Sequence, residues 1–174
     1  MIAAARDQRT ARCSEIGSSP RCQMPAEPAK RARQAGRGGR VSAPSVGQTA
    51  SRTRAVRQRD IELFTQLTGD RNPLHYDEEA ASASRFGGII VQGGVTSGLL
   101  NAVVAEELPG PGTVFLHVDW DFKAPVKPGD EITATVEVLE VRQDKPLTRL
   151  RTTVTNHGGT VVLDGSALVW TEPV

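Results

Sequence analysis

A long apolar segment, residues 86–107, precedes four stretches of alternating apolar and polar residues, and this order leaves few folds open. Ile, Val and Leu occur all along the segment, and Gly93 and Gly94 lie near the start of the predicted helix. A helix that is apolar all round is a buried one, and strict alternation is typical of half-buried strands. The sequence therefore predicts an α+β domain in which a curved antiparallel sheet wraps around one long buried helix.

The four alternating stretches are predicted to form an antiparallel meander. A turn at residues 127–130 joins the first two strands, and a tight hairpin at residues 157–159 joins the last two. The predicted strands lie at residues 114–120, from 132 onward, at 147–155 and at 160–170. The first is expected to place these residues on one face: Val114, Leu116, Val118 and Trp120.

Shorter elements are predicted ahead of the buried helix. A weak first strand covers residues 49–56, and a helix covers residues 59–67. Gly69 ends that helix as a C-terminal glycine, and residues 77–81 open a short helix with acids at its N-terminus. Helical spacing places these residues on one side of the first helix: Ile61, Phe64 and Leu67.

Residues 1–45 are predicted to be a disordered basic arm, and residues 46–174 the folded domain. Residues 1–40 carry nine Lys or Arg and three Asp or Glu, a net charge of +6, while the rest carries twelve against seventeen, or −5. An arm so poor in apolar residues cannot offset its ordering entropy. A solvated tail is favoured over a contact with RNA or an acidic surface. The arm is also compatible with an organelle-targeting peptide or with a stretch translated from a misplaced start, and we favour the misplaced start.

Composition also narrows the function classes. The mildly acidic body argues against a nucleic-acid-binding domain. No apolar run approaches the roughly 18–20 residues that span a bilayer. Both cysteines, Cys13 and Cys22, lie in the arm, so the body has neither a disulfide framework nor a CxxC pair for zinc. We expect a soluble, cytoplasmic protein that binds neither nucleic acid nor membrane.

Residues 68–75 read Thr-Gly-Asp-Arg-Asn-Pro-Leu-His and place a carboxylate, Asp70, five residues before an imidazole, His75. Pro73 biases Asn72 away from the helical region, so the segment is not expected to form one continuous helix. A kinked loop can aim both side chains at one water molecule. On spacing alone, an ordinary turn in which Asp70 caps the next helix and His75 packs is equally compatible.

The segment Phe64–His75 resembles the hydratase motif of MaoC-like (R)-specific enoyl-CoA hydratases, which have the hot-dog fold. That motif is an aromatic residue followed by Gly-Asp-x-Asn-Pro-hydrophobic-His, and every position is present here. The resemblance covers roughly residues 50–171. Further matches lie at Phe86–Gly93, Leu108–Gly112 and Phe122–Asp130.

The resemblance implies a catalytic mechanism and its residues. Asp70 and His75 would activate one water for addition to the β-carbon of a trans-2-enoyl thioester. The backbone amide of Gly93, at the start of the long helix, would stabilise the enolate oxygen. Asn72 would support the catalytic loop.

Two positions depart from the family. Gln92 stands where the family commonly has His, which affects local packing more than the amide of the next residue. Asn101 aligns with a Ser found near the active site in many members, and its greater bulk is expected to alter acyl-chain preference. Gln92 and Asn101 are therefore both assigned supporting roles.

The leading hypothesis is a hydro-lyase that hydrates trans-2-enoyl-CoA to (R)-3-hydroxyacyl-CoA, reversibly. The alternatives are a 3-hydroxyacyl-[acyl-carrier-protein] dehydratase, a non-catalytic acyl-thioester-binding subunit and a hot-dog thioesterase. No cofactor beyond the acyl carrier is expected. A homodimer is expected because the sheet leaves another face or edge to cover, and the resemblance implies the same. His117 and His157 are interpreted as surface residues without metal-ligand neighbours, so no metal site is predicted.

Overall fold

The computed structural model describes residues 43–173, and the predictions for the basic arm and its two cysteines lie outside this range, apart from residues 43–45 of the arm. The predicted elements are all present, with small shifts at their ends. The strands are β1 (Thr49–Ala55), β2 (Thr113–Phe122), β3 (Glu131–Val141), β4 (Leu147–Asn156) and β5 (Val161–Thr171). The helices are α1 (Gln58–Thr68), a 3-10 turn (Pro73–His75), α2 (Glu78–Ala83) and α3 (Gly93–Glu106).

All five strands form one antiparallel sheet in the order β1-β3-β4-β5-β2. Only β3, β4 and β5 form the predicted meander. β2 pairs with β5 instead of β3. After β2, at one edge of the sheet, the chain therefore passes β5 and β4 and enters β3, next to the opposite edge strand β1. The prediction of a four-strand meander is therefore wrong in this one connection, because alternation specifies strands but not their partners.

The core lies between α3 and the inner face of the sheet. Leu100 and Val103 of α3 are completely buried, as are Val136 and Leu150 of the central strands. Along β3 and β4, buried residues alternate with partly or fully exposed polar residues, as the sequence predicted. Truncating a fully buried leucine such as Leu100 to alanine costs about 2–5 kcal/mol of stability in proteins.

β2 departs from the predicted alternation. A bulge between Phe115 and His117 changes the phase of the side chains there. Phe115 and Trp120 therefore both reach the core, where their rings meet edge to face with centroids 5.9 Å apart, and Val114 is exposed. The predicted single face from Val114 to Trp120 is wrong.

Two apolar predictions need correction. Leu67 is 82% exposed, and Thr65 takes the place on the buried side of α1 next to Ile61. α3 is buried on one side only, because Asn101 and Ala105 are exposed on the other. None of the helices described in residues 43–173 is long and apolar enough to cross a membrane.

Candidate active site

Asp70 lies directly after the C-terminal end of α1 and its cap residue, Gly69. Gly69 follows α1 in the left-handed conformation, with φ of 79°, and its N–H donates to the Thr65 carbonyl at 2.8 Å. Glycine adopts this conformation without the penalty that a Cβ brings. The chain leaves the helix at a sharp angle, and Asp70 is the first residue after the bend.

Two side-chain turns hold the loop that follows. The backbone N–H of Asn72 donates to Asp70 Oδ1 at 3.1 Å, and that of Leu74 donates to Asn72 Oδ1 at 3.1 Å. Pro73 begins the 3-10 turn, which matches its fixed φ. One oxygen of the Asp70 carboxylate is thus occupied by the backbone, which leaves Oδ2 for another partner.

His75 ends the 3-10 turn and is buried. Its Nδ1 lies 2.8 Å from the Ile90 carbonyl oxygen, and its Nε2 lies 3.6 Å from Asp70 Oδ2. A carbonyl oxygen only accepts hydrogen bonds, so the proton is assigned to Nδ1. Nε2 of the neutral ring is then an acceptor that faces the carboxylate. A separation of 3.6 Å is too long for a direct hydrogen bond.

The side chain of His75 lines a cavity of about 300 Å³. Gly93, the first residue of α3, lines the same cavity. Its N–H belongs to the first turn of the helix, and no backbone carbonyl among the described residues accepts from it. A Cβ at Gly93 would lie 3.0 Å from Phe122 Cε1, so glycine keeps this part of the cavity open. The remaining lining residues include Arg85, Phe86, Ile90, Thr96, Lys123 and Val126.

Gln92, the N-cap residue of α3 directly before Gly93, is 2% exposed. Its Nε2 donates to Thr65 Oγ1 at 3.0 Å, and no protein atom in the described chain donates to its Oε1. Thr65 Oγ1 also donates to the Asp70 carbonyl at 2.7 Å and accepts from the Tyr76 hydroxyl. Gln92 is therefore joined to the segment that carries Asp70.

The structure brings most of the sequence-predicted site residues together. Asp70, Asn72 and His75 are adjacent, and Gly93 shares the cavity with His75. Asp70 does not cap the following helix, since Asp77 does so through its bond to the Ala80 N–H. Asn101 is exposed two turns along α3 and does not line the cavity, so it is not brought to the site within this chain.

Sequence reasoning missed the contributions of Thr65, Tyr76 and the Ile90 carbonyl. The hydroxyl of Tyr76, directly after the motif, was one available signal. A threonine within a helix and a backbone carbonyl give no pattern that identifies them.

The other two histidines are exposed, His117 on β2 and His157 in the β4–β5 turn, as predicted. In the described range, no three His, Cys, Asp or Glu side chains are grouped as metal ligands would be.

A curved five-stranded antiparallel sheet packed on one long helix, with an Asp–His pair beside the start of that helix, defines a hot-dog-fold hydratase or dehydratase. The chain belongs to the MaoC like domain family, which matches residues 41–159.

Relatives and solved structures agree with this assignment. The chain is 41% identical over 124 residues to a 3-hydroxybutyryl-CoA dehydratase of Methylorubrum extorquens, covering 71% of this chain and 78% of that protein. It is 37% identical to the (R)-specific enoyl-CoA hydratase of Aeromonas caviae, covering 71% and 92%. The unliganded R-hydratase PhaJ1 of Pseudomonas aeruginosa superposes with a TM-score of 0.71 at 37% identity, covering 77% of this chain and 86% of that one.

Proposed function

We propose that this hydro-lyase catalyses the reversible, (R)-specific hydration of trans-2-enoyl-CoA to (R)-3-hydroxyacyl-CoA. The observation that carries the proposal is the 3.6 Å gap between Asp70 Oδ2 and His75 Nε2 beside the cavity that Gly93 lines. A gap of this size suits one water that donates a hydrogen bond to each acceptor. The similarity to hydratases and dehydratases at 37–41% identity supports the same reaction.

Proton transfer follows from the assigned tautomer. Because the Ile90 carbonyl keeps the proton on Nδ1, His75 Nε2 accepts a proton from the water as its oxygen bonds to the β-carbon. Asp70 Oδ2 accepts a hydrogen bond from the second hydrogen, which stays on the water oxygen, and fixes the direction of attack. The π electrons move toward the α-carbon and the thioester oxygen. The proton held by the pair then returns to the α-carbon, so the reaction needs no redox cofactor.

The negative charge that develops on the thioester oxygen needs a donor already in place. In this proposal the Gly93 N–H is that donor, and the N-terminus of the 14-residue helix α3 adds its favourable dipole. Asn72 supports the loop through its two hydrogen bonds, and Gln92 supports Gly93 from behind.

The acyl carrier is proposed to be coenzyme A. Arg85 and Lys123 line the cavity and supply positive charge of the kind that binds phosphate groups. Two plant mitochondrial 3-hydroxyacyl-[acyl-carrier-protein] dehydratases are 31% and 32% identical to this chain, so a carrier-protein thioester is the second candidate. The ratio of kcat/KM for the same acyl group on the two carriers separates these substrates.

The decisive experiment follows the loss of the conjugated-thioester absorbance of crotonyl-CoA with purified protein. Asp70→Asn and His75→Ala are expected to lower kcat by about 10²–10⁴-fold. In Asp70→Asn the amide oxygen would keep the bond from the Asn72 N–H, so the NH2 group, a donor, would replace the acceptor Oδ2, and His75→Ala removes the ring nitrogen. Asp144→Asn and His157→Ala are matched controls on exposed residues outside the cavity and outside β2, and they should retain full activity.

Three results would overturn the proposal. If the Asp70 and His75 variants were as active as the wild type, these two residues would be excluded as the catalytic pair. A wild-type protein that binds crotonyl-CoA without converting it would be a non-catalytic thioester-binding subunit, and thiol release from a saturated acyl-CoA would identify a thioesterase. The (R) configuration is tested with an (S)-specific 3-hydroxyacyl-CoA dehydrogenase, which should leave the product unoxidised.

A homodimer is part of the proposal. β1 and β2 are the two edge strands. β1 carries Arg52 and Arg54, which discourage pairing, whereas β2 exposes the apolar side chains of Leu116 and Phe122. We therefore propose that β2 meets its copy in a second chain. Asn101, on the exposed side of α3, would then contribute to the active site only in the dimer. We also propose a cytoplasmic location, which cell fractionation tests.

A further inference from the structure

The Thr65 hydroxyl uses all of its hydrogen-bonding capacity inside the protein. A hydroxyl has one proton to donate and two lone pairs to accept with. The Asp70 carbonyl can only accept, so the proton of Thr65 Oγ1 points to it across 2.7 Å. The two lone pairs accept from Gln92 Nε2 at 3.0 Å and from the Tyr76 hydroxyl. We call these four groups the Thr65 network.

The Thr65 network joins segments that are far apart in sequence. Asp70 supplies the carboxylate of the candidate pair, and Gln92 is the N-cap residue directly before Gly93. Thr65 and Gln92 are 5% and 2% exposed, so solvent does not compete for these bonds. One buried hydroxyl therefore fixes the backbone of the carboxylate residue and the start of α3 relative to each other.

We infer that Thr65 is a positioning residue, which sets the distance between the water-activating pair and the Gly93 amide. The inference rests on the proposed function for its kinetic consequence. The attacking water and the thioester oxygen are held by different segments, and a displacement of about 1 Å between reacting groups can cost on the order of 10²-fold in rate. Thr65 touches no reacting atom and acts through Asp70 and Gln92.

The test compares three threonine variants. Thr65→Val removes the hydroxyl at nearly constant volume, and Thr65→Ser retains it. Thr152→Val is the matched control, because Thr152 is completely buried and its hydroxyl accepts one side-chain bond, from Trp120 Nε1 at 3.0 Å, outside the Thr65 network. We expect Thr65→Val to lower kcat for crotonyl-CoA by about 10- to 100-fold with KM nearly unchanged. Thr65→Ser should restore most of the rate.

A purely structural role for Thr65 would give a different result. Thr65→Val and Thr152→Val would then lose stability alike, and kcat of the folded fraction would stay unchanged in both. That outcome, or a failure of Thr65→Ser to restore kcat, overturns the inference.

Two further measurements keep the inference testable if Thr65→Val folds poorly or if the wild type is inactive. Gln92→Met cuts the Thr65 network at its other end and should lower kcat similarly. In the double variant the two losses should not add, and additive losses would contradict the coupling. If the wild type hydrates no enoyl thioester, the proposed function fails. The amide NMR shift of Gly93 then decides, since it should move in Thr65→Val and stay fixed in Thr152→Val.

Discussion

Each side chain of the candidate pair has one polar atom held by the backbone and one left for its neighbour. Asp70 Oδ1 accepts from the Asn72 N–H, and His75 Nδ1 donates to the Ile90 carbonyl. The free atoms, Oδ2 and Nε2, face each other as a result. Preorganisation of this kind keeps two acceptors aimed at one point without relying on a direct bond between them.

Asn72→Ala tests how far the loop depends on side-chain turns. The variant loses the acceptor of the Leu74 N–H but keeps the backbone N–H that holds Asp70. We expect a loss of about 1 kcal/mol in the free energy of unfolding and roughly 10-fold in kcat for crotonyl-CoA, because the loop relaxes. Urea unfolding and the hydration assay measure the two effects.

Asn156→Ala is the matched control for Asn72→Ala. Its Oδ1 accepts from the Thr160 N–H at 2.9 Å in a turn outside the site. A similar loss of stability with unchanged kcat is expected. If the control loses kcat to the same extent, the Asn72 effect is a consequence of stability alone.

At the residue scale the sequence predicted the pair and a supporting Asn72 and Gln92, but it missed Thr65, Tyr76 and the Ile90 carbonyl. Asp70 and His75 are five positions apart around a proline, so local geometry decides whether they meet. Thr65 and Gln92 are 27 positions apart, and only the packing of α1 against the start of α3 brings them together. Asn101 was assigned by alignment with the family, and the fold of the single chain leaves it in solvent.

At the scale of elements, the end of α1 sets a backbone requirement near the site. Gly69 has φ of 79°, and a Cβ there would meet no atom within 4 Å, so any penalty is conformational. Gly69→Ala is expected to lower the free energy of unfolding by about 1 kcal/mol and to reduce kcat by shifting Asp70. Gly158→Ala, at a turn glycine without positive φ, should change stability by no more than about 0.5 kcal/mol. Equal effects in the two variants would contradict this account.

The turn between β3 and β4 gives a pH prediction. The Arg142 guanidinium donates two hydrogen bonds to the Asp144 carboxylate, at 2.9 and 2.6 Å, and these bonds hold the pKa of Asp144 below its usual value of 3.8. A carboxyl with a lowered pKa in the folded state stabilises it above about pH 4 and loses that contribution as the pH falls through the lowered pKa. Both groups are exposed, so the effect is small and screened by salt.

Asp144→Asn should therefore unfold at slightly lower urea concentration than the wild type near pH 7. The two midpoints should converge as the pH falls through the lowered pKa of Asp144. A difference that persists at low pH would show that the carboxylate charge is not its cause.

The elements themselves were predictable because helix and strand periods are local properties. The bulge in β2 was not, since it depends on pairing with β5. The β5–β2 pairing was equally hidden, because alternation is the same whichever strand lies alongside.

At the scale of the whole molecule, the two edges of the sheet differ in chemistry. Leu116→Lys places a charge on the β2 edge, where we propose the dimer contact. The wild type is expected to be a dimer by sedimentation equilibrium, and Leu116→Lys should weaken dimerisation by at least about 10-fold, because a buried lysine opposite its copy is strongly unfavourable. Ser51→Lys adds the same charge to the β1 edge and should leave the dimer intact. If only Ser51→Lys dissociated the dimer, the contact would lie at the β1 edge, and the proposed β2 contact would be wrong.

The cavity has two walls of different origin. One wall carries His75 and Gly93 and comes from the connection between β1 and β2. The other, residues 122–126, comes from the end of β2 and the turn toward β3. Under the proposed function, substitutions at residues 124–126 of the second wall reshape the space for the acyl chain and leave Asp70 and His75, the proposed water-holding pair, unchanged. A lineage of such proteins can therefore change which acyl group it accepts while its chemistry stays the same, and chemistry and preference are open to separate selection.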